Sequence, residues 1–199
     1  MLPSSGVFIT GTDTDVGKSV ASAWVLGRMG WDYWKPIQAG LEGGGDISVV
    51  KRLSGLDESH FHASTFNLTA PMSPHAAARL DSVAIKLSDF SLPDCDNPLV
   101  VEGAGGLLVP LNDREFIVDL IEVLGLSVVL VVRSGLGTIN HTLLSLMLLR
   151  QRGLDIAGVI INGELNPGNR DAIIEYGKVD IICEIPLLNP LNAETLAKV

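Results

Sequence analysis

The residue pattern with the clearest chemistry is GTDTDVGKS, residues 11–19, which follows the apolar run VFIT and opens a helical stretch. A glycine-rich turn at a helix start points backbone N–H groups at an anion, and the helix dipole adds positive potential there. Lys18 can reach the β- and γ-phosphates of a nucleotide, and the Ser19 hydroxyl can ligate Mg²⁺. The spacer before Gly17 and Lys18 is one residue longer than in the usual pattern, so the sequence predicts a variant phosphate-binding loop.

Two acidic residues, Asp13 and Asp15, lie inside this predicted anion site. A carboxylate beside a phosphate is unfavourable because like charges repel. Each of the two must therefore point away from the phosphates, bind a cation, or contact a cationic co-substrate such as an amine.

Further charged residues follow other apolar runs. Glu102 closes PLVVE, a position typical of the second magnesium anchor, although a structural acid is the alternative interpretation. Asp46 follows three glycines and can approach the same ion or cap a short helix. Lys35 follows an aromatic run, and together with Lys18 and Mg²⁺ it would stabilise charge during phosphoryl transfer.

Alternating elements are expected to position these side chains. Val- and Ile-rich runs predict buried parallel strands at residues 7–10, 98–102, 127–132, 157–162 and 179–185, with a shorter one at 31–35. The clearest helices are predicted at 17–30 and 138–152, weaker ones at 45–54 and 169–177, and one or two short helices over the sheet edge within the irregular segment 56–96. This alternation predicts one α/β domain over residues 1–199, a three-layer αβα fold with a doubly wound, mostly parallel sheet of the P-loop NTPase type. Ligands of such sheets lie at the carboxyl ends of the strands, where the polar and glycine-rich segments fall.

The composition excludes several classes of function. A net charge of −9 disfavours nucleic acid and anionic membrane surfaces. The N-terminal segment has no signal-peptide pattern and no apolar run is long enough to span a bilayer, so we expect a soluble, cytoplasmic protein. Cys95 and Cys183 form no CxxC and have no histidine at ligand spacing beside them, so we expect ordinary thiols. The four histidines form no nucleophile constellation with a serine.

Seven sequence blocks, spread in order over nearly the whole chain, resemble the dethiobiotin synthetase family. They are VFITGTDTDVGKS (7–19), WKPIQAG (34–40), APMSPH (70–75), VVEGAGGLLVPL (100–111), GLGTINH (135–141), AGVIIN (157–162) and EIPLLNP (184–190). The long spacer in the phosphate loop is also typical of this family.

The resemblance implies a cyclo-ligase that closes a cyclic urea on 7,8-diaminononanoate with CO₂ or bicarbonate, using ATP and Mg²⁺, in biotin biosynthesis. One amine becomes a carbamate, ATP phosphorylates the carbamate, and the second amine attacks the mixed anhydride and releases phosphate. An acidic phosphate loop is compatible with a diamine, and two lysines are compatible with a carbamate and a transferring phosphoryl group.

The resemblance also assigns roles to individual residues. Lys35, Lys18 and Thr14 would be catalytic, and Ser19, Asp46 and Glu102 would surround Mg²⁺. The nucleotide would contact Asp15, Val16, Gly17, Lys18, Ser19, Val20, Asp46, Glu102, Gly103, Ala104, Gly105, Asn162, Pro186, Leu187 and Leu188, with Asn162 at the adenine. The substrate would contact Thr14 and Lys35. Within a homodimer, the backbone N–H groups of Gly137, Thr138, Ile139 and Asn140 would bind the carboxylate of the substrate held by the second subunit.

The chain departs from the family pattern at two places. Ala39 stands where some relatives have a serine that contacts substrate, so that hydrogen bond is missing or is replaced by Gln38. Leu191 stands where some relatives direct an acid at the nucleotide ribose. The second departure leaves the nucleotide preference open.

Two other classes of function share parts of the pattern. A regulatory P-loop ATPase of the partitioning or positioning type has a similar fold, but its loop typically carries an extra lysine where Thr12 and Asp13 stand here. Such proteins also act on a DNA or membrane surface, for which this chain offers no basic or amphipathic segment. An amide-forming ligase acting on a larger cofactor precursor is usually longer and has a second domain.

Overall fold

The computed structural model describes residues 2–199. Its strands are β1 (Gly6–Gly11), β2 (Asp32–Trp34), β3 (Ile37–Ala39), β4 (Phe61–His62), β5 (Phe66–Leu68), β6 (Leu99–Gly106), β7 (Ser127–Arg133), β8 (Ile156–Asn162) and β9 (Ile181–Ile185). Its α-helices are α1 (Lys18–Met29), α2 (Gly45–Ser54), α3 (Pro74–Leu80), α4 (Ile117–Leu124), α5 (Thr138–Gln151), α6 (Pro167–Gly177) and α7 (Ala193–Leu196). Short 3₁₀ turns add Glu42–Gly44, Glu58–His60 and Leu87–Asp89.

A seven-stranded parallel sheet forms the centre of the molecule, in the order β4-β2-β6-β1-β7-β8-β9. Strand β1 lies between β6 and β7, with Ile9 beside Glu102 and Gly11 beside Val131. A separate two-stranded parallel sheet joins β3 to β5. The predicted fold class is confirmed, because helices cover both faces of a mostly parallel sheet.

The buried core divides between the two faces of this sheet. Val7 and Ile9 point to the face covered by α1, where they join Leu26. Phe8 points to the opposite face and joins Ile117 of α4. Because alternate residues of a strand face opposite sides, a strand covered on both sides must be apolar throughout. Burying each large apolar side chain contributes about 1.5–3 kcal/mol.

The predicted strands and the predicted helices at 17–30, 45–54, 138–152 and 169–177 are all present, with ends shifted by only a few residues. Helix α1 lies between two glycines in the left-handed conformation, Gly17 (φ 96°) and Gly30 (φ 63°). Glycine adopts this conformation without the steric penalty of a β-carbon, which explains why both helix ends were visible in the sequence.

The prediction for residues 56–96 was incomplete. The segment contains the expected short helix, α3, but it also contains β4 at the edge of the main sheet and β5 in the small sheet. These strands have two and three residues, too few to show an alternating pattern. Helix α4, an eight-residue apolar helix that covers one face of the sheet, was also not predicted.

Within residues 2–199, no helix combines the length and the apolar character needed to cross a bilayer. Both cysteines are free and half-buried. Burial raises the pKa of the Cys183 thiol to about 11, which keeps this thiol protonated at neutral pH.

Candidate active site

The phosphate loop joins the end of β1 to the start of α1 and is closed by its own contacts. The Lys18 ammonium donates a hydrogen bond to the Asp13 carbonyl oxygen at 3.0 Å. Asp15 and Gly17 have positive φ angles of 57° and 96°, which turn the backbone so that the loop folds back on itself. The N-cap residue Gly17 provides no side-chain cap, so the first N–H groups of α1 are left for another partner, such as an anion.

Neighbouring strands hold this loop in place. The backbone N–H of Thr12 donates to the carbonyl of Val131 on β7 at 3.1 Å. The side-chain amide of Asn162, at the end of β8, donates to the carbonyl of Val16 at 3.1 Å. The loop is therefore attached to two strands of the sheet as well as to its own helix.

The first acidic residue of the loop faces a cation. One carboxylate oxygen of Asp13 lies 3.2 Å from the Arg133 guanidinium, and the other accepts a hydrogen bond from the Thr14 N–H at 2.7 Å. Both charged side chains are about half exposed, so the pair is a surface ion pair of modest energy. Asp15 is exposed and borders the cavity described below.

Glu102 lies at the centre of the site and is only 1% exposed. One of its carboxylate oxygens accepts from Ser19 and Lys35, each at 3.0 Å. The other accepts from Ser22 at 2.7 Å and from Tyr33 at 3.1 Å. Four donors compensate the burial of this charge, which would otherwise be strongly unfavourable.

Asp46 brings a second carboxylate to the same place from the first turn of α2. It lies 3.2 Å from the Ser19 hydroxyl and 2.8 Å from the Lys35 ammonium. Ser19, Asp46 and Glu102 therefore present a hydroxyl and two carboxylates to one point. Hard oxygen donors of this kind fit Mg²⁺, so the residues present are compatible with the predicted metal.

The charges of this cluster perturb one another. Burial by itself opposes the charge on Lys35, but Glu102 and Asp46 outweigh it and raise the pKa of the Lys35 ammonium. Burial lowers the pKa of the Lys18 ammonium, and repulsion from Lys35 lowers it further. Attraction to Glu102 acts in the opposite direction but is weaker than the effect of burial. Burial alone would raise the pKa of the Asp46 carboxyl, but Lys35 and Ser19 outweigh it, so the pKa lies below its ordinary value. Lys35 is thus held as a fixed cation between two anions.

Ser22 and Tyr33 are site residues that the sequence analysis missed. Burial raises the pKa of the Tyr33 phenol well above its usual value, and the negative charge of Glu102 adds to the effect, so Tyr33 stays a hydrogen-bond donor. Ser22 lies one helical turn after Ser19, and Tyr33 lies in β2, two positions before Lys35, which directly follows that strand. Both spacings place side chains on the same face and were signals that an i, i+3 or i, i+2 search would have found.

A cavity of about 690 Å³ opens beside these groups. Its predicted lining residues are Thr14, Asp15, Gly17, Lys18, Ser19, Val20, Lys35, Asp46, Glu102, Ala104 and Gly105. Pro71, Met72, Ser73 and Pro74, from the segment APMSPH, form part of the wall, as do Ala39, Val49 and Val109. The structure therefore brings the phosphate loop, both lysines and both carboxylates to a single cavity.

Other predicted contacts lie outside this cavity. The Val16 side chain is buried in the core, and Gly103 packs against Phe8. Asn162 and the segment Pro186, Leu187 and Leu188 lie at the ends of the adjacent strands β8 and β9. Gly137, Thr138, Ile139 and Asn140 lie where the loop after β7 enters α5. Their proposed ligand contacts stay predictions.

Gln38, the residue that could replace the missing serine, makes its hydrogen bonds inside the protein. Its side-chain oxygen accepts the backbone N–H of Asp46 at 3.0 Å, and its nitrogen donates to the carbonyls of Ala39 and Gly40. The side chain is buried and every polar atom is used inside the protein. Gln38 instead positions the first turn of α2, which carries Asp46.

Comparison with known proteins adds sequence relatives. A family model described as an AAA domain matches residues 5–195. The ATP-dependent dethiobiotin synthetase BioD of Paramagnetospirillum magneticum is 50% identical over 192 residues, which cover 96% of this chain and 93% of the relative. The corresponding protein of Lawsonia intracellularis is 44% identical with the same coverage. The biotin biosynthesis bifunctional protein BioCD of Bordetella avium is 49% identical over 96% of this chain and 41% of its own length.

Solved structures share the fold at much lower identity. A ParA family ATPase from Chlorobium tepidum superposes with a TM-score of 0.52 at 14% identity, covering 98% of both chains. The septum site-determining protein MinD of Pyrococcus horikoshii, complexed with Mg-ADP, gives 0.54 at 13% identity over 97% of this chain and 86% of its own. At such identities the likeness concerns the fold alone.

Proposed function

This chain belongs to the family of ATP-dependent dethiobiotin synthetases, and from that membership we propose that it closes a cyclic urea on 7,8-diaminononanoate with CO₂. The enzyme is an ATP-dependent ligase of biotin biosynthesis. The observation that carries the proposal is the position of Lys35, whose buried ammonium lies between Glu102 and Asp46 beside the phosphate loop.

The proposed reaction has three steps. One amine of the substrate adds to CO₂ and releases a proton, which gives a carbamate. A carbamate oxygen takes the terminal phosphoryl group of ATP, which forms a carbamic–phosphoric anhydride and ADP. The second amine then attacks the carbonyl carbon, the C–O bond to phosphate breaks, and the cyclic urea forms with inorganic phosphate and a proton.

The chain's own groups would divide this work. The loop N–H groups and Lys18 would hold the phosphates, and Lys35 would hold the anionic carbamate next to the transferring group, with Thr14 beside them. Ser19, Asp46 and Glu102 would hold Mg²⁺, in keeping with their oxygen donors. When bound, Mg²⁺ supplies positive charge that neutralises phosphate oxygens during transfer.

The remaining parts of the proposal concern the nucleotide base, the second subunit and the location. We propose that the base lies between Asn162 and the segment Pro186–Leu188, at the ends of neighbouring strands. We also propose a homodimer in which residues 137–140 of one subunit bind the substrate carboxylate of the other. A single domain over residues 1–199 and a cytoplasmic location stay predictions.

The shared fold of the partitioning and positioning ATPases keeps a regulatory ATPase as the second candidate, although no sequence relative described above has that function. A phosphate-release assay separates the two. The proposed ligase needs both the diamine and bicarbonate for phosphate release and forms dethiobiotin in equal amount. A regulatory ATPase releases phosphate without either substrate, and that result would overturn the proposal.

Replacing Lys35 tests the residue that carries the proposal. Lys35→Ala removes a cation that would stabilise the transferring group, so we expect turnover to fall by about 100-fold or more. It also leaves Glu102 buried with less compensation, a change that costs about 3–5 kcal/mol for a buried pair. Unfolding is therefore followed by circular dichroism, and the rate is referred to the folded fraction.

Two further variants complete this test. Lys18→Ala breaks no buried ion pair and should lose turnover to a similar extent without the stability loss. Lys198→Ala changes an exposed lysine that does not line the cavity and should keep the normal rate. Near-normal turnover in a folded Lys35 variant would show that its ammonium has no part in the reaction.

A further inference from the structure

A cluster of metal-binding side chain types lies at the opposite end of the sheet from the cavity. Asp32 begins β2, pairs with Leu99 at the start of β6, and has a side chain only 8% exposed. One of its carboxylate oxygens lies 3.1 Å from Nδ1 of His60 and the other lies 3.1 Å from Nε2 of His62. Asn97 donates to the first oxygen at 3.0 Å.

Cys95 completes this cluster. A carboxylate oxygen of Asp32, a ring nitrogen of His62 and the sulfur of Cys95 all lie within 4.8 Å of one another. The three residues are about thirty positions apart in sequence and come from three segments, β2, β4 and the loop before β6. Residues this far apart in sequence show no ligand spacing along the chain, so the expectation of an ordinary thiol at Cys95 rested on its sequence neighbours alone.

The charge around the cluster is negative. The charged groups that act on the Cys95 thiol are the carboxylates of Asp32, Asp94 and Asp96. Within residues 2–199, the ion-pair partners of Asp32 are the two histidines, and no lysine or arginine pairs with it. The histidine side chains are 22% and 23% exposed, so the cluster is within reach of solvent ions.

We propose that Asp32, His62 and Cys95 form a binding site for a zinc-class divalent ion, separate from the nucleotide cavity. Carboxylate, imidazole and thiolate are the ligand types that Zn²⁺ takes in proteins. His60 and Asn97 hold the other carboxylate oxygen and orient Asp32, as partners of ligands do in metal sites. Ligand atoms around Zn²⁺ lie about 3–4 Å apart, so a small contraction of the edge strand and the 94–97 loop would bring the three protein ligands to this spacing, with water in the fourth tetrahedral position.

Such an ion would act as a structural clamp. It would join β4, the edge strand of the sheet, and the loop before β6 to the start of β2. The competing explanation is that two neutral imidazoles each donate one hydrogen bond to Asp32 and satisfy it without a metal. That explanation predicts no metal uptake at this site, which makes the two distinguishable.

Cobalt provides the test, because a thiolate–Co²⁺ bond has a charge-transfer absorption band that oxygen ligands lack. Protein freed of metal by a chelator is titrated with Co²⁺ in the presence of excess Mg²⁺, which occupies oxygen sites. We expect the band to saturate at one ion per chain and to disappear when Zn²⁺ is added. Cys95→Ser should abolish the band, and His62→Asn should weaken Co²⁺ binding by about tenfold or more.

Matched variants serve as controls. Cys183→Ser and His141→Asn change the same residue types elsewhere and should leave the titration unchanged. A band that fails to saturate, or that persists in Cys95→Ser, would overturn the proposal in favour of the hydrogen-bonded cluster.

A second measurement on the unmodified protein avoids any effect of substitution on folding. Zn²⁺ should slow the alkylation of Cys95 by iodoacetamide, followed by peptide mass spectrometry, and leave Cys183 unaffected. Equal rates with and without Zn²⁺ would likewise refute the site.

Discussion

At the scale of single residues, Glu102 is held from two sides. Its first carboxylate oxygen faces Ser19 and Lys35 at the cavity, whereas its second accepts from Ser22 and Tyr33 in the protein interior. Because Ser22 and Tyr33 hold the second oxygen, the first oxygen is available to groups at the cavity. This division assigns positioning roles to Ser22 and Tyr33.

Tyr33→Phe removes one interior donor while preserving the ring. A hydrogen bond to a charged group contributes about 1.5–3 kcal/mol, so we expect the free energy of unfolding to fall by that amount in urea titrations. Turnover should fall less than in Lys35→Ala, because Ser22 still holds the carboxylate. Tyr176→Phe, at a tyrosine that is 65% exposed, is the control and should change neither quantity. Unchanged stability in Tyr33→Phe would mean that the hydroxyl does not support Glu102.

The acid dependence of stability follows from Asp46. Burial raises the pKa of Asp46, but Lys35 and Ser19 outweigh this and lower it below its ordinary value of 3.8. A group with a lowered folded pKa stabilises above its unfolded pKa and loses that contribution as the pH falls through the folded value. We therefore expect the stability difference between the wild type and Asp46→Asn to shrink on acidification below about pH 4. Urea titrations at a series of pH values measure it.

Glu164→Gln provides the reference for this experiment, since Glu164 is an exposed acid outside the site. The difference in the free energy of unfolding between Glu164→Gln and the wild type should stay small at every pH in the series. A difference for Asp46→Asn that does not depend on pH would contradict the proposed ion pairing.

At the scale of elements, the function depends on how α1 joins β1. Gly17 lies against the side chain of Asn162, and a β-carbon at Gly17 would lie only 2.2 Å from the Asn162 side-chain nitrogen. The end of β8 thereby sets the position of the helix start. The Asn162 side chain, at the end of β8, therefore contacts the phosphate loop and helps to fix its position.

Gly17→Ala should disrupt this contact. The change forces a residue with a β-carbon into a left-handed conformation, which costs about 1–2 kcal/mol, and it displaces Asn162 from Val16. We expect Mg·ADP affinity, measured by calorimetry, to fall by more than the stability loss alone explains. Gly30→Ala at the other end of α1 also places a β-carbon on a residue with positive φ (63°) but has open space around that carbon, and should keep normal affinity. Equal affinity in both variants would rule out the contact as a constraint on the loop.

At the scale of the whole molecule, the fold does not determine the reaction. The sheet and its helices resemble those of partitioning ATPases, but the segments at the carboxyl edge carry Lys35, Asp46 and the 71–74 wall. Because loops can change without altering the core, one architecture supports different chemistries. The second subunit in our proposal would add a further segment to the same edge.

Asn140→Asp tests that second subunit. An acid in the first turn of α5 favours the helix by about 0.3–1 kcal/mol but repels a substrate carboxylate, so KM for the diamine should rise with little change in fold. Mixing this variant with Lys35→Ala should restore activity in hybrid dimers, because one site then combines an intact lysine with an intact loop. The mixed samples are checked by sedimentation to be dimeric. If they then recover no activity, Lys35 and the 137–140 loop serve the same site from one subunit.

The sequence by itself determined the phosphate loop, the main parallel strands and the helices that begin or end at glycines. These features are local, because apolar runs, helix caps and loop motifs are written in consecutive residues. Lys35, Asp46 and Glu102 were also found this way, since each follows a strand or a glycine-rich turn.

Only the tertiary structure decided which distant residues meet. The contact of Tyr33 and Ser22 with Glu102, the pairing of Asp13 with Arg133, and the cluster at Asp32 join segments separated by dozens of residues. Strands of two or three residues, such as β4 and β5, likewise have too few positions to show a period and depend on their neighbours for their existence. Such contacts are selected by the packing of the sheet, and that packing involves the whole chain at once.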